Sequence, residues 1–93
     1  MNNIQPLYNY IRRRVEPIEK IKAVFLYEKS EVYDLWFITE EDDFDLELDI
    51  SEIIGELFEI FDTLLFNSLS FTIDEVNLDD LKKECYDIIY IKR

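Results

Sequence analysis

Between Glu40 and Asp62 the chain reads EEDDFDLELDISEIIGELFEIFD, with eleven carboxylates and not one basic residue. Leu46, Ile50, Ile53, Leu57 and Phe61 recur within it at spacings of three and four, with Ile54, Phe58 and Ile60 widening the stripe. That period predicts an amphipathic helix over 44–61 whose apolar face lies on a core and whose other face is almost wholly carboxylate. The rest of the chain must therefore supply an apolar layer for this stripe to cover.

The flanking segments supply one. Ile21 to Glu28 (IKAVFLYE) and Val32 to Thr39 (VYDLWFIT) are rich in β-branched and aromatic residues and too short for independent helices, so both read as strands. Lys29-Ser30-Glu31 between them is short enough for a hairpin turn, although it lacks the glycine or asparagine that tight turns prefer. The continuous run Leu35-Trp36-Phe37-Ile38 predicts a central strand covered on both faces. Leu64 to Ile73 alternates partly between apolar and small polar residues, as a strand with one less-buried face would. Tyr86 to Ile91 predicts a last short strand at a sheet edge.

Two further helices complete the order. Ile4, Leu7, Tyr8, Ile11 and Val15 share one face of a first helix, with Asn2 or Asn3 to cap it, Pro6 in its first turn and Pro17 as its stop. Arg12, Arg13 and Arg14 crowd its last turn, either as a solvated turn suited to the helix dipole or as a basic patch for an anion. Asp74 to Glu84, with Asp79 and Asp80 early and Lys82 and Lys83 late, suits a short helix. The expected fold is α/β (α+β), a small mixed sheet of about four strands with helices packed on it, in a single domain spanning 1–93.

Charge and composition exclude several functions. A net charge of -12 opposes direct binding to nucleic acid phosphates or to anionic membranes, so the expected partners are basic surfaces, or nothing charged at all. The hydrophobic fraction of 48% sets the chain apart from disordered acidic sequences. One cysteine, no signal-peptide pattern and no membrane-length apolar run place the expected location in the cytoplasm.

With no histidine and a single cysteine, neither a Cys/His zinc site nor a Ser-His-Asp or Cys-His catalytic pair can be assembled. The lone glycine, Gly55, falls inside the predicted helix, so no glycine-rich phosphate loop exists; close packing against a strand would explain it there. Glu40-Glu41-Asp42-Asp43 could coordinate a hard cation but lacks the glycine turn of a calcium loop, and a solvated run favouring the start of the next helix is the alternative. No cofactor and no catalytic or metal residue is expected.

The order helix, strand-turn-strand, helix, third strand, closing on Ile89-Tyr90-Ile91-Lys92-Arg93, resembles the minimal nucleotidyltransferase fold over roughly residues 4–93. In catalytic members of that family the first strand runs into a Gly-Ser turn for the nucleotide phosphates, and the second begins with an Asp-x-Asp pair that binds two metal ions. Here Tyr27-Glu28 and Val32-Tyr33-Asp34 occupy those places, and the family's third carboxylate would fall near Asn67. Only Asp34 remains in register, either as a vestige of the site or as a polar residue near a strand start. The resemblance thus implies a catalytically inactive relative that binds a protein partner, a basic or helical one as in toxin-antitoxin pairs. An acidic mimic of nucleic acid is the alternative, with Asp45, Asp49, Glu52, Glu56 and Glu59 occupying a basic groove on another protein.

Overall fold

A computed structural model describes residues 4–92 of the protein. Seven elements follow one another in the expected order: α1 (Gln5–Val15), β1 (Ile21–Lys29), β2 (Val32–Thr39), α2 (Phe44–Ile60), β3 (Leu65–Thr72), α3 (Leu78–Glu84) and β4 (Asp87–Ile91). They form an α/β (α+β) fold, a four-stranded mixed sheet in the order β3-β2-β1-β4 with three helices packed on it. β1 is antiparallel to β2 and to β4, whereas β2 and β3 run parallel, and α2 makes the crossover that a parallel pair needs.

The apolar density of β1 and β2 follows from their position. They are the two inner strands, with cover on both faces. On one face Val24, Leu26, Leu35 and Phe37 meet Leu7, Ile11 and Val15 of α1 and Leu46, Ile50, Ile53 and Leu57 of α2, all buried in one cluster. On the other, Ala23, Phe25 and Ile38 pack beneath Leu81 of the short helix α3. That helix does not reach the outer strand, so Trp36 and Phe71 stay half-buried and Leu69 is 38% exposed.

Helix ends show why the boundaries fall where they do. The Asn2 and Asn3 caps lie outside the described residues; α1 starts after Ile4, which gives no side-chain cap, and holds Pro6 in its first turn. Asp43 caps α2, its Oδ1 accepting the Asp45 N–H at 2.9 Å. Asn77 Oδ1 caps α3 by accepting from the N–H groups of Asp79 and Asp80, so that helix starts at Leu78 rather than at Asp74. The hairpin turn places Ser30 at φ 47° and Glu31 at φ 71°, the left-handed pair that matches strand twist, without the residues that adopt it readily.

Three expectations are corrected on α2. Phe58 and Ile60 do not widen the core stripe: both are exposed, although the Phe58 ring meets Phe66 edge-on at the rim of the core, centroids 6.0 Å apart. Gly55 is not pressed against a strand: a β-carbon built there would have no atom within 4 Å. Its place is on the outer line of the helix.

Candidate functional site

At 100° per residue, Phe44, Leu48, Ser51, Gly55 and Phe58 lie within about 40° of one line along α2, opposite the buried line of Leu46, Ile50, Ile53 and Leu57. All five are exposed, Phe44 at 73%, Leu48 at 52% and Phe58 at 46%. The helix therefore has three faces, not two: a core stripe, a carboxylate flank, and an outward apolar seam whose middle is flattened by Ser51 and Gly55. The spacing of four, three, four and three from Phe44 to Phe58 is visible in the sequence. Placing Phe58 on the core stripe and leaving Phe44 and Leu48 unassigned hid it.

Of the five acids expected on the partner face, Asp45, Asp49, Glu52 and Glu59 are exposed beside this seam. Glu56 lies on the same flank but is half-buried. Its Oε1 accepts Arg14 Nε at 2.7 Å and the Tyr10 hydroxyl, both from α1, which ties the two helices together. These bonds hold its carboxyl below the usual glutamate range, the Tyr10 hydroxyl contributing most and the Arg14 guanidinium next. Arg14 also reaches Glu52 at 3.8 Å, a longer and more exposed pairing.

The arginine triplet is thus no single patch. Arg12 donates Nε to the Ile89 carbonyl at 2.7 Å and stacks over the Tyr8 ring, joining α1 to β4. Arg13 alone of the three is left to solvent by the bonds described. The acidic run before α2 is similarly engaged: Lys20 Nζ bridges Glu41 and Asp43, and Lys22 approaches Glu40 at 4.0 Å. The Lys20 ammonium, followed by the Asp45 N–H, lowers the Asp43 carboxyl below its usual range. Among the described residues no cluster of three or more His, Cys, Asp or Glu is arranged to hold a metal ion.

Asp34 lies on the sheet face opposite α2, where the register sets it between Tyr27 of β1 and Asn67 of β3. Asn67 Nδ2 donates to Asp34 Oδ1 at 3.2 Å, so the structure does bring together the two positions that the family resemblance singled out. Next to them Tyr27, Trp36 and Phe71 form a row of rings with centroids 4.6 and 4.9 Å apart. Asp34 is thus a carboxylate bonded to an amide and bordered by a row of aromatic rings.

Among the described residues no helix is long and apolar enough to cross a membrane. No protein-family model matches the chain, and neither does any curated protein.

Proposed function

We propose that the protein is a non-catalytic, nucleotidyltransferase-like binding module of the cytoplasm, whose α2 receives a basic amphipathic helix of a partner protein. One observation carries this reading: an exposed seam of Phe44, Leu48 and Phe58 with Ser51 and Gly55 between them, flanked by Asp45, Asp49, Glu52 and Glu59. An apolar stripe of this kind is the receiving half of a helix-on-helix contact, and a small residue at its middle lets the two axes approach. The adjacent carboxylates select a partner with lysine or arginine beside its own apolar stripe, and they steer its approach. The element order and the Asp34–Asn67 pair support the nucleotidyltransferase-like part of the reading, and the amide in place of a carboxylate supports its lack of catalysis.

A nucleic-acid mimic would use the same carboxylates without the seam. A synthetic helical peptide with leucines along one face and lysines beside them separates the two ideas when titrated calorimetrically against an oligolysine of equal charge. The seam reading expects the amphipathic peptide to bind and Leu48→Ser or Phe58→Ser to weaken it at least tenfold. Equal binding of both peptides, unchanged in those variants, would favour mimicry and reject the seam.

A further inference from the structure

A second surface is left open at the end of the sheet. β3 is an edge strand, and its sequence LFNSLSFT is the only one among the four strands without a charged residue. Edge strands in folded proteins are ordinarily guarded by lysine, proline, a bulge or a covering segment. In a chain whose residues are 34% charged, an eight-residue edge free of charge is an unguarded pairing surface.

The direction of its backbone groups can be read from their bonds. Ile73 N–H donates to the Thr39 carbonyl and the Phe71 carbonyl accepts from Thr39 Oγ1, so the odd-numbered residues turn their polar groups toward β2. The even-numbered ones turn theirs outward. At Thr72 both outward groups are already taken by Glu75, whose Oε1 accepts the Thr72 N–H at 2.9 Å and whose own N–H donates to the Thr72 carbonyl at 3.0 Å. Phe66, Ser68 and Ser70 are the remaining outward positions of the strand.

We propose that β3 pairs antiparallel with β3 of a second copy of this chain, about a two-fold axis at Ser68, to make one continuous eight-stranded sheet. The Glu75 cap excludes registers that need Thr72, and of the others the one centred on Ser68 engages all three free outward positions. A pairing centred on Leu69 would oppose Phe66 to the occupied Thr72, whereas centring on Ser68 opposes Phe66 to Ser70 and Ser68 to itself, each pair exchanging two N–H···O bonds. On the open sheet face the same register sets Leu65, 60% exposed, against Phe71 of the other copy, and Leu69 against Asn67. The apolar surface that α3 leaves uncovered is thereby shared between two copies. On the α2 side the central residues are Ser68 and Ser70, small enough for two sheets to meet without a clash of side chains. A two-fold contact closes on itself, so the free edge ends in a dimer rather than in an open chain.

The occupant is a second copy because the pattern is self-complementary and because the strand itself is uncharged, so that two chains of net charge -12 meet along it with the Glu75 carboxylate only at its end. This inference stands apart from the α2 reading, and salt separates them. Screening relieves repulsion between like-charged copies and strengthens the dimer, while it weakens a basic partner on α2.

Sedimentation equilibrium of the full chain at low and high salt tests the dimer directly, with Leu65→Lys expected to weaken it at least tenfold. Ser68→Cys gives the register. In a Cys85→Ser background the two α-carbons at position 68 would stand about 5.5 Å apart, within disulfide range, and a mild oxidant should cross-link the introduced thiols. Ser70→Cys is the control, because its symmetry mate lies about 13 Å along the strand. A monomer at both salt concentrations, or cross-linking of Ser70→Cys in preference to Ser68→Cys, would overturn the proposal.

Discussion

Replacing Gly55 by alanine should stabilise the protein. Glycine inside an α-helix costs about 0.8–1.0 kcal/mol relative to alanine, because its backbone surrenders more freedom on folding. Such a gain is realised only where the added methyl meets nothing and the backbone already suits it. Gly55 satisfies both conditions: it has no positive φ, and nothing lies within 4 Å of the β-carbon position. For 93 residues the unfolding entropy is about 0.2 kcal/mol per degree, so about 1 kcal/mol should raise the melting temperature by roughly 5 °C. Calorimetry together with urea titration would measure it, with the midpoint moving and the m-value unchanged. An unchanged or lowered melting temperature would refute the open placement and restore the close packing expected from sequence. Retention of glycine at a stabilisable site is what the seam reading requires, since the methyl that helps the isolated helix stands where a partner helix approaches. Gly55→Ala should therefore gain stability while losing affinity for the amphipathic peptide.

Ile53→Ala and Leu57→Ala should each cost about 2–5 kcal/mol, because both side chains are fully enclosed between α2 and the sheet; wild-type-like urea midpoints would reject that core face. Glu56→Gln should lower the melting temperature at neutral pH by weakening the link between α1 and α2. Its folded carboxyl is depressed, so its contribution is complete above the ordinary glutamate pKa and is lost as pH falls through the folded value; the gap between variant and wild type should close toward acid. A gap independent of pH would mean the ion pair is not its source. Millimolar ATP with Mg²⁺ should leave the melting temperature unchanged, and a saturable rise abolished by Asp34→Ala would reinstate a working nucleotide site.

The fold was legible because its strongest signals are local. Apolar runs of strand length located β1 and β2 and the residues of their ladder, and the charge order from Asp79 to Lys83 located α3. What escaped was contact between distant segments. Nothing near Glu56 in the chain announces Tyr10 or Arg14, more than forty residues earlier; only the packing of α1 against α2 joins them. Phe58 misled for another reason, since a hydrophobic period reports which residues share a face but not that a helix carries two apolar faces. Asp34 and Asn67 were each legible by position, and the parallel register of β2 with β3 made them neighbours.

The left-handed pair at Ser30 and Glu31 bears on how fast the chain finds this fold. The β1–β2 hairpin joins residues close in sequence and would be the cheapest long contact to form first. Its turn opposes that, because each residue without glycine's freedom resists the left-handed region by about 1–2 kcal/mol. Closure must then be driven from the strand bodies, through opposed pairs such as Phe25 with Trp36 and Leu26 with Leu35, and the turn is dragged into place by them. The turn geometry therefore predicts that the strand bodies, not the turn, lead hairpin formation. Asparagine and glycine at the two turn positions would show this in a chevron, raising the folding limb if the hairpin belongs to the transition state and slowing only unfolding if it does not.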